Sequence, residues 1–321
     1  MRSDPNPSDV LGPIVIAVLT YKRPEDLPAL LPQLLEQTET VGEDVTVLVV
    51  DNDAEESARV TVAALALDRV TYVVEPRPGI AAARNRALAE VPHAHLLIFI
   101  DDDERPEPGW LSALLDCYRR ERSAAVAGPV VPDAVGLDDP WIVAGGFFVR
   151  KRHPTGTEVE AASTANLLLD LRQLAELGAF RFDEKFSLTG GSDTLFTRRL
   201  TRAGGRIVWC DEASVVDHIR IQRLNRRWVL QRHFRAGNSW SRTTVELEPG
   251  PLSRLGVRLR LTVLGLVRIV LGSLRTAFGT VTRSLRHQAR GSRTAARGTG
   301  MVLGAWGGVY IEYRRKDAAA S

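Results

Sequence analysis

Along the first hundred residues, apolar runs alternate with stretches of helical period. IVIAVL (14–19) reads as a strand, and from Pro24 onward Leu27, Leu30, Leu31, Leu34 and Leu35 share one helical face. VTVLVV (45–50) reads as a second buried strand ending at Asp51-Asn52, and Ser57 to Leu67 as a helix. VTYVVE (70–75) is a third strand, broken by Pro76 and by Pro78-Gly79. An alanine-rich helix is expected over Ile80 to Glu90, and HLLIFI (95–100) is a fourth strand running into three aspartates. Continuous apolar strands between helices predict a parallel sheet covered on both faces. Such sheets bind ligands beyond the carboxyl ends of their strands. Thr20-Tyr21-Lys22-Arg23, Asp51-Asn52-Asp53 and Asp101-Asp102-Asp103 all fall at that edge.

After Trp110 the alternation loosens. Leu111 to Arg122 is helical, AAVAGPVV (124–131) reads as a strand, and GRIVWC (205–210) is strand-like. Trp228 to Ser241 looks helical. From Pro249 through Ile311 there is no acidic residue. At about 100° per residue, Arg254, Arg258, Arg268, Arg275, Arg283, Arg286 and Arg290 share one sector, and only Arg260 strays. Leu259, Val263, Leu266, Val270, Leu274, Phe278, Val281 and Leu285 lie opposite. This pattern predicts a basic amphipathic helix, or a broken pair, since Gly265, Gly272 and Gly279 weaken it. As a membrane span it would place Arg268 and Arg275 mid-bilayer, each costing about 2.5–3.5 kcal/mol. A helix lying on an anionic membrane surface fits better. The plainer reading is a helix packed on the body with a solvated arginine face. MVLGAWGGVYIEYRRK (301–316) carries Trp306, Tyr310 and Tyr313 beside three basic residues and reads as a second interfacial anchor.

Charge sharpens the contrast. The chain carries a net +3, yet from Pro251 onward thirteen Lys and Arg stand against two Asp and Glu. The remainder has 29 basic and 37 acidic residues. A basic tail on an acidic body should seek polyanions. Nucleic acid is disfavoured, because the tail lacks interleaved aromatics that stack bases. Two cysteines, Cys117 and Cys210, make neither a disulfide framework nor a CxxC metal site. The polar, Pro-rich start MRSDPNPSDVLGP lacks a signal-peptide core, so the first strand is expected in the cytoplasm.

Five constellations carry chemistry. Asp101-Asp102-Asp103 offers hard oxygen ligands for Mg²⁺ or Mn²⁺, or alternatively caps the following helix. Asp51-Asn52-Asp53 can bond a base or ribose, or form an Asx turn. PRPGIAAARNRAL (76–88) sets Arg84 and Asn85 near a helix N-terminus, where an anion such as diphosphate is favoured, or on a solvated face. TGGSDTLF (189–196) presents Asp193 as a general base on a loop tip, or as a helix cap. His218 in VVDHIRIQR could complete a metal shell, although a lone His is more often structural.

Taken in order, TYKRP, VVDNDA, RPGIAAARN, FIDDDE, GGSDTLF and the late His218 resemble glycosyltransferase family 2, over about residues 12–240. FRAGNSW (234–240) and the GVYIEYRRK ending are similar to its bacterial polysaccharide-assembly branch, which includes succinoglycan-type glucosyltransferases. The resemblance implies an α/β GT-A fold: a Rossmann-like, mostly parallel sheet with helices on both faces, plus C-terminal basic amphipathic helices. It implies a flexible N-terminus (1–12), a GT-A domain (13–245) with nucleotide-binding (13–105) and acceptor-binding (106–245) halves, and a membrane-associating segment (246–321). Thr20, Tyr21 and Arg23 would line the nucleotide pocket, with Asp51 bonding the base, Asn52 beside it, and Arg84 near ribose or sugar. Asp101 and Asp103 would form the DxD pair, with Asp103 the main metal ligand and Asp102 helping to hold ribose or sugar. Asp193 would be the catalytic base, and His218 would contact metal or diphosphate. The family usually has Glu-Asp where this chain has Ser192-Asp193, so the base is kept and a supporting carboxylate is gone.

The function so implied is inverting, metal-dependent transfer from a nucleotide-diphosphate sugar, by default a UDP-hexose, with Mn²⁺ or Mg²⁺ as cofactor. The acceptor would be a hydroxyl of a glycan or lipid-linked intermediate in polysaccharide or cell-envelope synthesis. The enzyme would sit peripherally at the cytoplasmic face of the cell membrane, with a homo-oligomer left open. Ser192 is the sole support for a different class, a non-catalytic nucleotide-sugar-binding scaffold.

Overall fold

In a computed structural model of the chain, the described residues are 11–178 and 180–310. The expected flexible stretch 1–12 lies almost wholly outside them, and the segment 301–316 is described only as far as Tyr310. They form two compact units: residues 11–131, 151–187 and 192–217, and residues 132–150, 188–191 and 218–310.

The first unit holds β1 (Ile14–Thr20), β2 (Val45–Asp51), β3 (Val70–Val74), β4 (Leu96–Asp101), β5 (Glu104–Pro106), β6 (Ala125–Ala127), β8 (Asn166–Asp170) and β9 (Ile207–Trp209). β7 (Val130–Asp133) and β10 (Val215–His218) carry the chain from one unit to the other. Its helices are α1 (Leu27–Glu39), α2 (Arg59–Leu65), α3 (Ile80–Glu90), α4 (Trp110–Glu121), α6 (Leu171–Leu177) and α7 (Ser192–Arg202).

Seven strands form one sheet in the order β3-β2-β1-β4-β8-β6-β9. β1 pairs parallel with β2 and with β4, and β2 with β3. Successive side chains point to opposite faces. Ile14, Ile16 and Val18 therefore pack with α1 leucines and Trp110, while Val15, Ala17 and Leu19 pack with α3 alanines, Phe182 and Phe196. Both faces of the sheet are thus covered. The chain builds outward from β1 to β3 and then returns to the other side of β1 with β4. That reversal opens a crevice at the carboxyl ends of β1 and β4.

β8 departs from the parallel pattern, running antiparallel to both β4 and β6. The expected strand 124–131 is split into β6 and β7 at Gly128-Pro129, where proline removes a ladder donor. Asn166 of β8 closes the break. Its Nδ2 donates to the carbonyls of Pro129 (3.1 Å) and Ala213 (2.7 Å), and its Oδ1 accepts from Trp110 Nε1 (3.0 Å). Cys117 and Cys210 are free and buried, and the Cys210 thiol donates to the carbonyl of Ala113 at 3.4 Å.

The second unit contains α5 (Pro140–Gly145), α8 (Arg226–Glu246), α9 (Pro251–Val281) and α10 (Leu285–Ala305). α8 falls inside the stretch expected to belong to the GT-A domain, yet it groups with the C-terminal helices, because α10 packs on α8 as well as on α9. The broken pair of amphipathic helices is present as α9 and α10. The glycines of α9 have a different meaning from the expected one. Gly265, Gly272 and Gly279 are buried, and a Cβ at Gly272 would meet Ala295 N at 2.6 Å and Gly291 O at 2.7 Å. They form the seam along which two backbones approach closely. Their intrinsic helix cost, about 1 kcal/mol each, is offset by that packing. No helix among the described residues is long and apolar enough to cross a membrane.

Candidate active site

The sheet register sets the rim. Thr20 is level with Asp51, and Leu19 with Asp101, so β1, β2 and β4 deliver their polar ends together. Asp102 is buried, while Asp101 and Asp103 are partly exposed. The negative charge has a cationic partner within the chain. Arg23 Nη1 lies 3.2 Å from Asp102 Oδ1 and 3.1 Å from Asp103 Oδ2, and so bridges two of the three carboxylates. Arg23, expected to line the nucleotide pocket, is engaged here. Tyr21 is partly exposed beside it, with the Lys22 ammonium 5.8 Å from its ring centroid.

Bridging does not remove the strain of like charges. Burial, with help from Asp103, Asp193 and Asp217, pushes the Asp101 carboxyl up to about 6, against the pull of Arg84. Burial pushes Asp102 up to about 7 despite Arg23. Asp193 and Asp217 thus stand close enough to Asp101 to act on it, although they are far from it in sequence. Asp217 was not anticipated. The only signal was the alternation of VVDH, in which Val215 and Asp217 are buried and His218 is exposed. His218 Nδ1 is 3.0 Å from Asp133 Oδ2. The expected metal contact thus finds His218 already engaged by a carboxylate, and Asp217 is the residue of that strand that acts on Asp101.

α3 supplies the other cation. Arg84 is buried, 7% exposed, and its Nη1 donates to Ser192 Oγ at 2.6 Å. Its guanidinium lies over the Phe182 ring, 5.4 Å from the centroid. Asn85 next to it holds Phe182 by two reciprocal backbone bonds of 2.9 and 2.8 Å. Gly79 precedes α3 at φ 117°, a conformation that favours glycine, and a side chain there would collide with Ser187. Ser192 is thus the hydroxyl that receives Arg84. Asp193 opens α7 partly exposed, and its Oδ1 accepts from Thr194 N at 2.7 Å.

Asp51 and Asn52 are largely architectural. Asp51 Oδ2 accepts from Ala58 N and Tyr72 OH, both 2.8 Å, and Oδ1 accepts from Asp53 N at 3.1 Å. A carboxylate has about four lone-pair positions, so one on Oδ1 is left for a base N–H. Asn52 donates both amide hydrogens to the carbonyls of Glu75 and Arg77 and accepts from Gly79 N. It has no donor left for a ligand, and it shapes the loop that launches α3.

The donor set fits a hard divalent cation. Carboxylates whose pKa values are raised by burial and by one another favour a nearby positive charge. Among the described residues no three acidic or histidine side chains already converge as a complete cage. That suits Mg²⁺ or Mn²⁺, which takes one or two protein carboxylates and completes its shell from phosphate and water. Thr20 Oγ1 and Arg84 Nε are buried without a hydrogen-bond partner among the described residues. Both are polar groups that a bound ligand could satisfy.

A pH dependence follows with a definite sign. Asp101 and Asp102 hold protons more tightly in the folded chain than when unfolded. Their contribution is present below the unfolded value near 3.8 and is lost as pH rises through about 6 and 7. In chelator, the melting temperature should fall across that window, and Asp101→Asn should flatten the slope. A slope unchanged by Asp101→Asn would remove Asp101 from this role.

The glycosyl transferase family 2 pattern matches residues 15–169. Over 240 residues, 74% of this chain and 77% of the relative, the sequence is 34% identical to succinoglycan biosynthesis protein ExoM of Rhizobium meliloti. The chain belongs to glycosyltransferase family 2. This family 2 enzyme shares its fold with the mannosyltransferase PcManGT of Pyrobaculum calidifontis, solved in complex with GDP-Man and Mn²⁺. The likeness has TM-score 0.57 at 15% identity, over 93% of this chain and 90% of that one. TarS of S. aureus, in complex with UDP-GlcNAc, is similar at TM-score 0.53 and 14% identity, over 88% and 90%. The GT-A architecture of the glycosyltransferase is thereby shown. Asp193 and Asp217 lie beyond the matched 15–169.

Proposed function

We propose that this glycosyltransferase of polysaccharide biosynthesis is inverting and metal-dependent. It transfers a hexose from a UDP-sugar to a hydroxyl of a glycan or lipid-linked acceptor, and it works peripherally at the cytoplasmic face of the cell membrane. The observation that carries this reading is the sheet register, which brings Thr20, Asp51 and Asp101 to one edge, with Arg84 Nη1 bonded to Ser192 Oγ at 2.6 Å next to Asp193. The nucleotide sugars bound by PcManGT and TarS, and the Mn²⁺ in the former, support a sugar-diphosphate donor.

Each residue has a place in the reaction. Asp101 and Asp103 would hold the cation, which when bound supplies positive charge against the departing diphosphate. Arg84 adds a fixed cation in a buried setting, where it acts more strongly than in water. Asp193 takes the proton of the acceptor hydroxyl as that oxygen forms its bond to the anomeric carbon. The bond to the diphosphate oxygen breaks on the opposite face, so the configuration inverts in a single displacement. Two carboxylates flanking the bond, as in glycosidases, are not required.

A panel of radiolabelled nucleotide sugars, offered with Mn²⁺ and membrane-extracted acceptors, tests the proposal. A labelled glycan or lipid product of inverted anomeric configuration is expected. Donor binding with no transfer to any acceptor would support a scaffold instead.

A further inference from the structure

α9 faces the opposite way from a helix packed on a protein body. Leu259, Val263, Leu266, Val270, Leu274 and Phe278 are 50–62% exposed. The stripe continues to both ends of the helix, with Leu252 at 83% and Val281 at 84%. The buried side of α9 holds Leu261 and the three glycines of the α10 seam. Arg254, Arg258, Arg268 and Arg275 lie on that same inner half, partly buried. Such side chains reach water or phosphate only by extending out along the flanks. At one flank the half-exposed Trp306 donates to Thr262 Oγ1 at 2.9 Å, with Arg258 5.8 Å from its ring centroid.

We infer that α9 is a docking helix that lies flat in the interface of an anionic bilayer. Its apolar half is immersed, its flanking arginines meet the lipid phosphates, and the glycine seam with α10 holds it to the second unit. Its 31 residues give a contact line of about 46 Å. Charge complementarity selects the occupant. From 249 to 311 there is no acidic residue, and ten arginines stand between Arg254 and Arg297. A second copy laid face to face would bring these like charges together, whereas anionic headgroups neutralise them. Trp306 suits the same boundary, where an indole is half wet. The inference rests on the proposed membrane setting but not on the transfer chemistry.

Flotation of the full-length protein with vesicles tests it without donor or acceptor, so its failure is distinct from failure of the catalytic reading. Vesicles of phosphatidylcholine with added phosphatidylglycerol should carry the protein upward, and pure phosphatidylcholine much less. The double substitution Leu266→Glu, Leu274→Glu should reduce partitioning by about tenfold or more. Both positions are exposed, so melting temperature and circular dichroism should not change. Equal flotation of the variant, or no flotation of wild type on anionic vesicles, would overturn the inference. So would a dimer that the same substitutions dissociate, which would assign the face to a second copy.

Discussion

Asp193→Asn should lower the rate of sugar transfer by about 10²–10⁴-fold and leave donor binding nearly intact. Asparagine keeps the shape of the side chain and still offers an oxygen to Thr194 N, which bonds Asp193 Oδ1 at 2.7 Å. The first turn of α7 should therefore survive. What disappears is the group that can take a proton from the acceptor. Asp193 is also one of the charges that raise the Asp101 carboxyl, so the variant should bind a divalent cation slightly less well. Single-turnover transfer with calorimetric donor binding separates the two effects. Unchanged turnover would remove Asp193 from the chemistry. A loss confined to donor affinity would make it a positioning residue.

Asn166→Leu should destabilise the first unit by at least about 3 kcal/mol. Asn166 is 1% exposed and serves three partners at once: Trp110 Nε1 and the carbonyls of Pro129 and Ala213. Leucine nearly matches its size but satisfies none of them, and each buried polar group left alone costs about 1–3 kcal/mol. Trp110 is among the largest fully buried side chains, and its ring is embedded in the cluster beneath β1, β2 and β4. Denaturant unfolding followed by tryptophan fluorescence measures the loss. A midpoint within experimental error of wild type would show that these bonds are replaced by others.

The parallel half of the fold was legible because its strands are buried on both sides and so read as unbroken apolar runs. The helix over Ile80 to Glu90 is found between those same residues, and β1, β2 and β4 are each found within a residue of expectation. β8 was not legible. NLLLD is short, follows a turn-rich stretch, runs straight into α6, and has neither alternation nor helical period. The rim clusters could be read, because strand ends in such a sheet converge by geometry. Their internal partners could not. Nothing local says that Arg23 bridges Asp102 and Asp103, or that Asp217 is buried while the exposed His218 pairs with Asp133. These are contacts between residues distant in sequence. The glycines of α9 were misread for the same reason. Propensity treats them as weak points in an isolated helix, whereas α10 needs them for close approach.

The central claim is that the acidic rim binds a sugar diphosphate through a divalent cation. Isothermal titration of UDP-glucose and of GDP-mannose into the wild-type protein, with Mn²⁺ and with chelator, tests it most directly. One of the two donors should bind only with the cation, and Asp103→Asn should weaken that binding by at least about tenfold. Equal affinity in chelator, and equal affinity in Asp103→Asn, would contradict the claim.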